Sequence, residues 1–354
     1  MRAVVRDFFR SLARRYRPVK LLLAWRLDRI RALRLSRRTP VSDKPFRVFN
    51  IELTNRCPMR CVMCARTNNM TRAIGDMPFS TFKAVIDQYA ENNPAGAAGE
   101  YLWLHHFGES LLHPEFAAFI RYAVSKGVRT AMSINPIMLT PPVTEELLAS
   151  GIHKLQISLD GHDDESFMKI RGVAGAYERS KKNLEAFLKR KAELGAGTLA
   201  VLSMIDFGLN RESIAAQKSL WEAASGIDEF RSKPFTTWDG AASDINALAA
   251  APVDNEMRRR LFSAVSCEVP WQTVTVTWDG DVVPCCFDYN KKYILGNVRE
   301  NSLREIWNGD NMRRLRLEFL SNSVRNPLCL DCPMLYPKEE EPEIKSFAAP
   351  GDFS

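Results

Sequence analysis

From Phe46 onward, short β-forming runs alternate with segments of helical spacing, and no other feature restricts the fold as tightly. FRVFNIEL, EYLWLHHF, RTAMSIN, KLQISLDG, TLAVLSMIDF and EFRSKPFTTW read as strands. Between them lie STFKAVIDQYAEN, PEFAAFIRYAVSKG, PVTEELLASG, AYERSKKNLEAFLKRKAELG and RESIAAQKSLWEAASG, which read as helices. Ser80 stands at the start of the first helix, and Pro114 and Gly127 bracket the second, as helix-end preferences require. Strands separated by helices of this length pair in parallel through right-handed crossovers. The pattern predicts an α/β fold, a partial (β/α)6 barrel over residues 46–264.

After Cys267 the grammar changes. QTVTVTWDGDVVPCCF is two β runs around Asp279-Gly280, a hairpin signal. SLREIWNGDNMRRLRLEFLS is helical, and NPLCLDCP is a cysteine-bearing loop. Residues 265–335 therefore form a small β-hairpin-plus-helix unit. Residues 1–45 precede the barrel as a basic arm, and 336–354 follow as a loose tail.

The eight cysteines fall in two groups far apart in the chain. No segment has the length and apolarity of a spanning helix or a signal-peptide core, so the expected address is the cytoplasm. Thiols stay reduced there, and clustered cysteines read as metal ligands before disulfides. Cys57, Cys61 and Cys64 follow the first strand in the spacing Cys-x3-Cys-x2-Cys. A structural tetrahedral ion needs a fourth ligand. The nearest histidines, His105, His106 and His113, belong to a different unit. Three thiolates on a four-iron cluster leave one iron open, which is what catalysis needs.

These residues and the units after them resemble the radical SAM superfamily. The resemblance implies a 4Fe-4S cluster whose open iron chelates S-adenosylmethionine and, once reduced, yields a 5′-deoxyadenosyl radical. It also implies an electron donor such as flavodoxin or ferredoxin. Met63 stands where an aromatic residue often lies against the adenine. HFGESLLHPEF resembles the family's Gly-Glu motif, so Gly108 and Glu109 would meet the cofactor's ammonium. AMSIN resembles its ribose-contacting segment, with Ser133 and Asn135 as hydrogen-bonding residues; Pro136 replaces the usual glycine. QISLDG followed by Arg171 resembles a further family pattern, in which Ser158 and Arg171 would hold the methionine carboxylate. Asp160 reads as a chain-turning residue.

GDVVPCCF, LGNVRENSLREIW and CLDC resemble the SPASM/Twitch auxiliary-cluster domain. The resemblance implies a second 4Fe-4S cluster on Cys267, Cys285, Cys329 and Cys332. A four-cysteine zinc site meets the same spacing. No cysteine follows Cys332, so one auxiliary cluster is expected. Cys286 is the spare, read as a buried apolar thiol.

The positive net charge comes from residues 1–45, rich in Lys and Arg with only Asp7, Asp28 and Asp43 against them. Nucleic acid is not an expected partner of the body. Val5, Phe8, Leu12 and Tyr16 beside Arg6, Arg10, Arg14 and Arg17 suggest packing on the barrel, peripheral membrane contact through residues 1–40, or a protein or nucleic-acid partner for the arm. The segment before Cys57 is short for a cobalamin-binding domain or a winged-helix peptide-binding module, which disfavours cobalamin-dependent methylation. The leading expectation is oxidation of a small polyol, aminocyclitol or sugar, with the auxiliary cluster taking an electron. The alternatives are radical modification of a ribosomally made peptide and, in another class, a non-catalytic iron–sulfur electron-transfer or scaffold protein. No catalytic base can be named.

Overall fold

The structure is a computed structural model that describes residues 26, 29–30, 32–92, 100–207, 210–222, 226–249 and 267–335. Most of the basic arm, residues 250–266 and the tail lie outside the described residues. The barrel strands are β1 (Arg47–Ile51), β2 (Leu102–Trp103), β3 (Thr130–Ile134), β4 (Lys154–Ser158), β5 (Leu199–Asp206) and β6 (Glu229–Pro234). The helices around them are α1 (Ala65–Asn68), α2 (Phe79–Asn92), α3 (Phe116–Ser125), α4 (Pro141–Ala149), α5 (Asp164–Arg171), α6 (Tyr177–Glu193), α7 (Arg211–Glu222) and α8 (Ser243–Asn246). The C-terminal region adds β7 (Thr273–Val276), β8 (Asp281–Val283), β9 (Gly296–Asn297), α9 (Leu303–Trp307) and α10 (Asp310–Leu320).

All nine strands form one sheet in the order β6-β5-β4-β3-β2-β1-β7-β8-β9. Strands β1 to β6 are parallel and adjacent in sequence order. Strand β7 then returns to pair parallel with the free edge of β1, Arg47 opposite Thr273 and Ile51 opposite Val276. The expected hairpin forms as antiparallel β7–β8. It is a continuation of the barrel sheet, so the cysteine-bearing unit shares a sheet with the barrel.

Side chains alternate across a strand, and this decides the two faces. Met132, Leu155 and Ala200 lie in register, as do Ile134, Ile157 and Leu202. All six are buried in the main core together with Phe119, Leu184 and Phe187 of the helices. Each of those three helix side chains, fully buried, contributes about 1.5–3 kcal/mol. The opposite, concave face carries Ser133, Gln156, Ser158 and Ser203. The EYLWLHHF segment is shorter as a strand than its pattern suggests. Leu104 still donates to the Ala131 carbonyl, after which the chain leaves the ladder toward Gly108.

The end of the arm packs against the C-terminal region. Trp271 Nε1 donates to the Thr39 carbonyl, and Asn308 bonds both the amide and the carbonyl of Ser42. The buried Arg316 donates to the carbonyls of Pro40 and Pro270. No described helix is long and apolar enough to cross a membrane.

Candidate active site

The loop after β1 is braced before any cofactor is considered. Thr54 Oγ1 contacts the Gly75 carbonyl at 2.9 Å and Asp76 Oδ1 at 2.6 Å. Asn55 bonds Ala73 and Gly75 through both ends of its amide. On the other side, the amides of Arg60 and Val62 donate to the carbonyls of Arg171 and Ile170, the last residues of α5. Gly172 ends α5 with φ +72°, and a Cβ there would collide with the Arg60 carbonyl. The helix end and the cysteine loop are thus fixed to each other. Cys64 opens α1, and Thr67 Oγ1 donates to the Cys61 carbonyl at 2.8 Å.

Burial and the nearby Glu109 push the Cys57 thiol up to about 12; burial and Cys61 push Cys64 up to about 11. Two such thiols reach the thiolate form when a cationic centre repays the desolvation.

Gly108 has φ +105°, and a Cβ there would meet Asn55 Cα at 2.7 Å. The next amide, Glu109 N–H, donates to the Arg56 carbonyl at 2.7 Å. The Gly-Glu pair is therefore clamped to the cysteine loop. The Glu109 carboxylate is buried, and burial raises its pKa to about 7. It accepts the amides of Asn135 at 2.8 Å and Leu111 at 3.3 Å. Asn135 caps a helical turn at Pro136–Met138 through Oδ1, while its Nδ2 is buried with no partner. Such a donor suits a ligand hydroxyl. Ser133 takes a contact from Gln156 Nε2 at 3.5 Å and donates its amide to His105 Nδ1 at 3.2 Å.

Ser158 ends β4 opposite Ser203. Arg171 ion-pairs with Asp160 and sets Nη1 3.6 Å from Cys61 Sγ. Its Nε is buried without a hydrogen-bond partner. Asp160 does more than turn the chain. It is fully buried, bonds the Ile205 amide through Oδ1 and faces Arg171 with Oδ2. A buried pair of this kind holds the guanidinium at the cysteine loop.

Cys267, Cys285, Cys329 and Cys332 line one apolar cavity with Val269, Pro270, Phe287, Leu315 and Phe319. Cys285 Sγ accepts the Phe287 amide at 3.4 Å, and a hydrogen bond from Cys286 holds its thiol below the usual value. Burial drives Cys329 and Cys332 well above it. Cys286 packs against Phe49, Trp103 and Ala131 while its thiol stays bonded to Cys285. A cavity ringed by four thiols fits a larger inorganic core.

Sequence reasoning did not find two further groups. Buried Glu52 pairs with Arg72 and takes the amides of Phe107 and Trp278, tying the barrel to the hairpin turn. Arg72 also donates to the Tyr289 carbonyl, and His106 Nε2 lies 2.7 Å from the Cys286 carbonyl. The second group is Lys233, Gln156 and His105 on the concave face. The alternation in EFRSKP puts Glu229, Arg231 and Lys233 on one face and could have pointed to it.

A half-open α/β barrel, a three-thiol loop at the end of its first strand and a closed four-thiol cavity define an iron–sulfur enzyme. A model described as "Radical SAM superfamily" matches residues 51–215, and one described as "Iron-sulfur cluster-binding domain", SPASM, matches 267–333. Together they show that the chain belongs to the radical SAM superfamily and carries a C-terminal SPASM domain. It is 27% identical to the AdoMet-dependent heme synthase of Methanosarcina barkeri, over 76% of this chain and 84% of that protein. It is 23% identical to the S-adenosyl-L-methionine-dependent 2-deoxy-scyllo-inosamine dehydrogenase of Niallia circulans, over 84% and 97%. Among solved structures, BtrN in complex with AdoMet and 2-DOIA shares the fold: TM-score 0.50, 20% identity, 79% of this chain and 89% of that one. The two domains imply 4Fe-4S clusters and S-adenosylmethionine as the cofactors of this enzyme.

Proposed function

We propose that the chain oxidises a carbinol carbon of a small hydroxyl-bearing substrate by hydrogen-atom abstraction. The observation that carries this reading is the second set of four thiols around one apolar cavity. A cluster held by all four would have no ligand position left for substrate, which suits an electron acceptor whose potential is set by burial. The dehydrogenase from Niallia circulans, matched over nearly its whole length, supports it.

Cys57, Cys61 and Cys64 would hold the cluster of the first site, which with S-adenosylmethionine bound would supply the chemistry of a 5′-deoxyadenosyl radical. The chain's own residues set the geometry around it. Asn135 Nδ2 offers its free donor to the ribose side, with Ser133 beside it on β3. Arg171 Nε and Ser158 offer donors for a carboxylate, and Asp160 fixes the guanidinium that carries the first. Glu109 ties the loop after β2 to the end of β3 and would meet the cofactor's ammonium. Ketone formation removes one hydrogen atom, one hydroxyl proton and one electron from the substrate; Cys267, Cys285, Cys329 and Cys332 would hold the second cluster, which would supply the acceptor for that electron.

Anaerobically reconstituted protein, reduced and given S-adenosylmethionine with polyols and aminocyclitols deuterated at carbon, tests the reading. Ketone product with deuterium in 5′-deoxyadenosine is expected. Turnover confined to a peptide, or 5′-deoxyadenosine without ketone, would overturn it.

A further inference from the structure

Three cationic side chains share the concave face of the sheet, and among the described residues only Arg231 has an acidic partner, Glu229. Lys233 lies on β6, and its Nζ sits 2.5 Å from Gln156 Oε1 on β4. Gln156 continues to Ser133 Oγ on β3, and Ser133 bonds His105. A line of polar contacts therefore runs across the face from the edge strand to the ribose-side residues. No carboxylate of the described residues comes within ion-pair distance of Lys233. Glu229, on the same face of β6, is 2.7 Å from Arg231. Lys154 lies over the rings of Tyr101 and Trp103, 5.3 and 5.8 Å from their centroids. Burial first, then the charges of Arg231 and Lys154, lowers the Lys233 pKa to about 7. His105 is buried and pushed down to about 3, so it stays neutral and adds no counter-charge.

A cation taken out of water next to other cations is costly unless an anion completes the set. The helix-facing side of the same strands is filled with apolar residues, so the fold does not need this charge for packing. The concave side is where Ser133 and Ser158 stand, beside the proposed radical source.

We propose that Lys233 is the anchor for an anionic group of the substrate, a carboxylate or a phosphate, with Gln156 orienting the ammonium and Arg231 and Lys154 adding positive field. This rests on the reading of the concave face as the substrate site and narrows the substrate class to hydroxy acids or phosphorylated polyols.

The test uses the reconstituted two-cluster protein with S-adenosylmethionine bound, titrated calorimetrically with glucose, gluconate and glucose 6-phosphate. These share a polyol skeleton and differ in charge. At least tenfold tighter binding of one anionic probe over glucose is expected, and the stronger of the two distinguishes phosphate from carboxylate. In Lys233→Met the preference should fall below twofold, while iron content and the S-adenosylmethionine dissociation constant stay unchanged. Lys233→Arg should restore most of the preference. Equal binding of neutral and anionic probes, or a preference that survives Lys233→Met, would overturn the proposal. A fall in S-adenosylmethionine affinity without loss of anion preference would do so too, by assigning Lys233 to the cofactor. Formation of ketone is scored separately, so failure of the dehydrogenase reading leaves the binding result standing on its own.

Discussion

The two thiol sets are built by opposite means. Cys57, Cys61 and Cys64 come from one continuous loop, held on one side by residues 73–76 and on the other by the last carbonyls of α5. Cys267, Cys285, Cys329 and Cys332 come from three separate stretches that meet around apolar residues such as Leu315 and Phe319, with Asn326 bonding the Cys329 amide. The first set owes its geometry to hydrogen bonds made to a single loop. The second depends on long-range packing and, through it, on whatever core it holds. Metal binding at such a site is coupled to folding. The radical site should therefore tolerate loss of its cluster as a folded protein, and the C-terminal site should not.

The sharpest way to break that contrast is to remove each set. Replacing Cys57, Cys61 and Cys64 together by Ala should abolish 5′-deoxyadenosine formation and halve the iron, with the thermal midpoint little changed. Retained 5′-deoxyadenosine would refute the assignment of the radical site. Cys329→Ala should lose the second cluster's iron and expose the C-terminal region to limited proteolysis, while reduced protein still cleaves S-adenosylmethionine in single turnovers. Cys286→Ala, which alters a thiol packed on Phe49 and Trp103, should keep full iron content. Iron loss from Cys286→Ala with retention in Cys285→Ala would reverse the ligand choice.

A smaller effect is expected at the junction of helix and loop. Arg171→Ala should weaken S-adenosylmethionine binding by about tenfold or more, as a charge-assisted contact worth roughly 1.5–3 kcal/mol implies. It also strands the buried Asp160, so Arg171→Ala/Asp160→Asn is the cleaner comparison. Equilibrium binding at fixed iron content reads both; an unchanged dissociation constant would confine Arg171 to bracing the loop. The smallest effect belongs to Asn308→Ala, which removes two bonds to Ser42 and one to Arg316. A stability loss of about 1–2 kcal/mol is expected, read as a lower denaturant midpoint with 5′-deoxyadenosine formation intact.

What could be read from the sequence follows the same division. The Cys57–Cys64 loop was legible because all its ligands and the strand before them are contiguous. The barrel strands were legible because Met132 with Ile134, and Leu155 with Ile157, repeat every second residue. The return of β7 to the edge of β1 was not, because nothing local in Thr273–Val276 names a partner more than two hundred residues away. Asp160 read as a turn because its partner, Arg171, is reached only once α5 has folded back onto the loop. Lys233 drew no notice within EFRSKPFTTW because only register, which places it opposite Ile205 and in reach of Gln156, gives it a neighbourhood.

Strand β1 has a neighbour on each edge, β2 on one side and β7 on the other. The first thiol loop leaves its end, and Cys285 follows β8, one strand beyond β7. The first thiol loop and Cys285 of the second set are thus mounted on a single sheet. A substitution that shifts β1 or β7 should therefore disturb both sites together, whereas choice among substrates has to be exercised where the substrate sits.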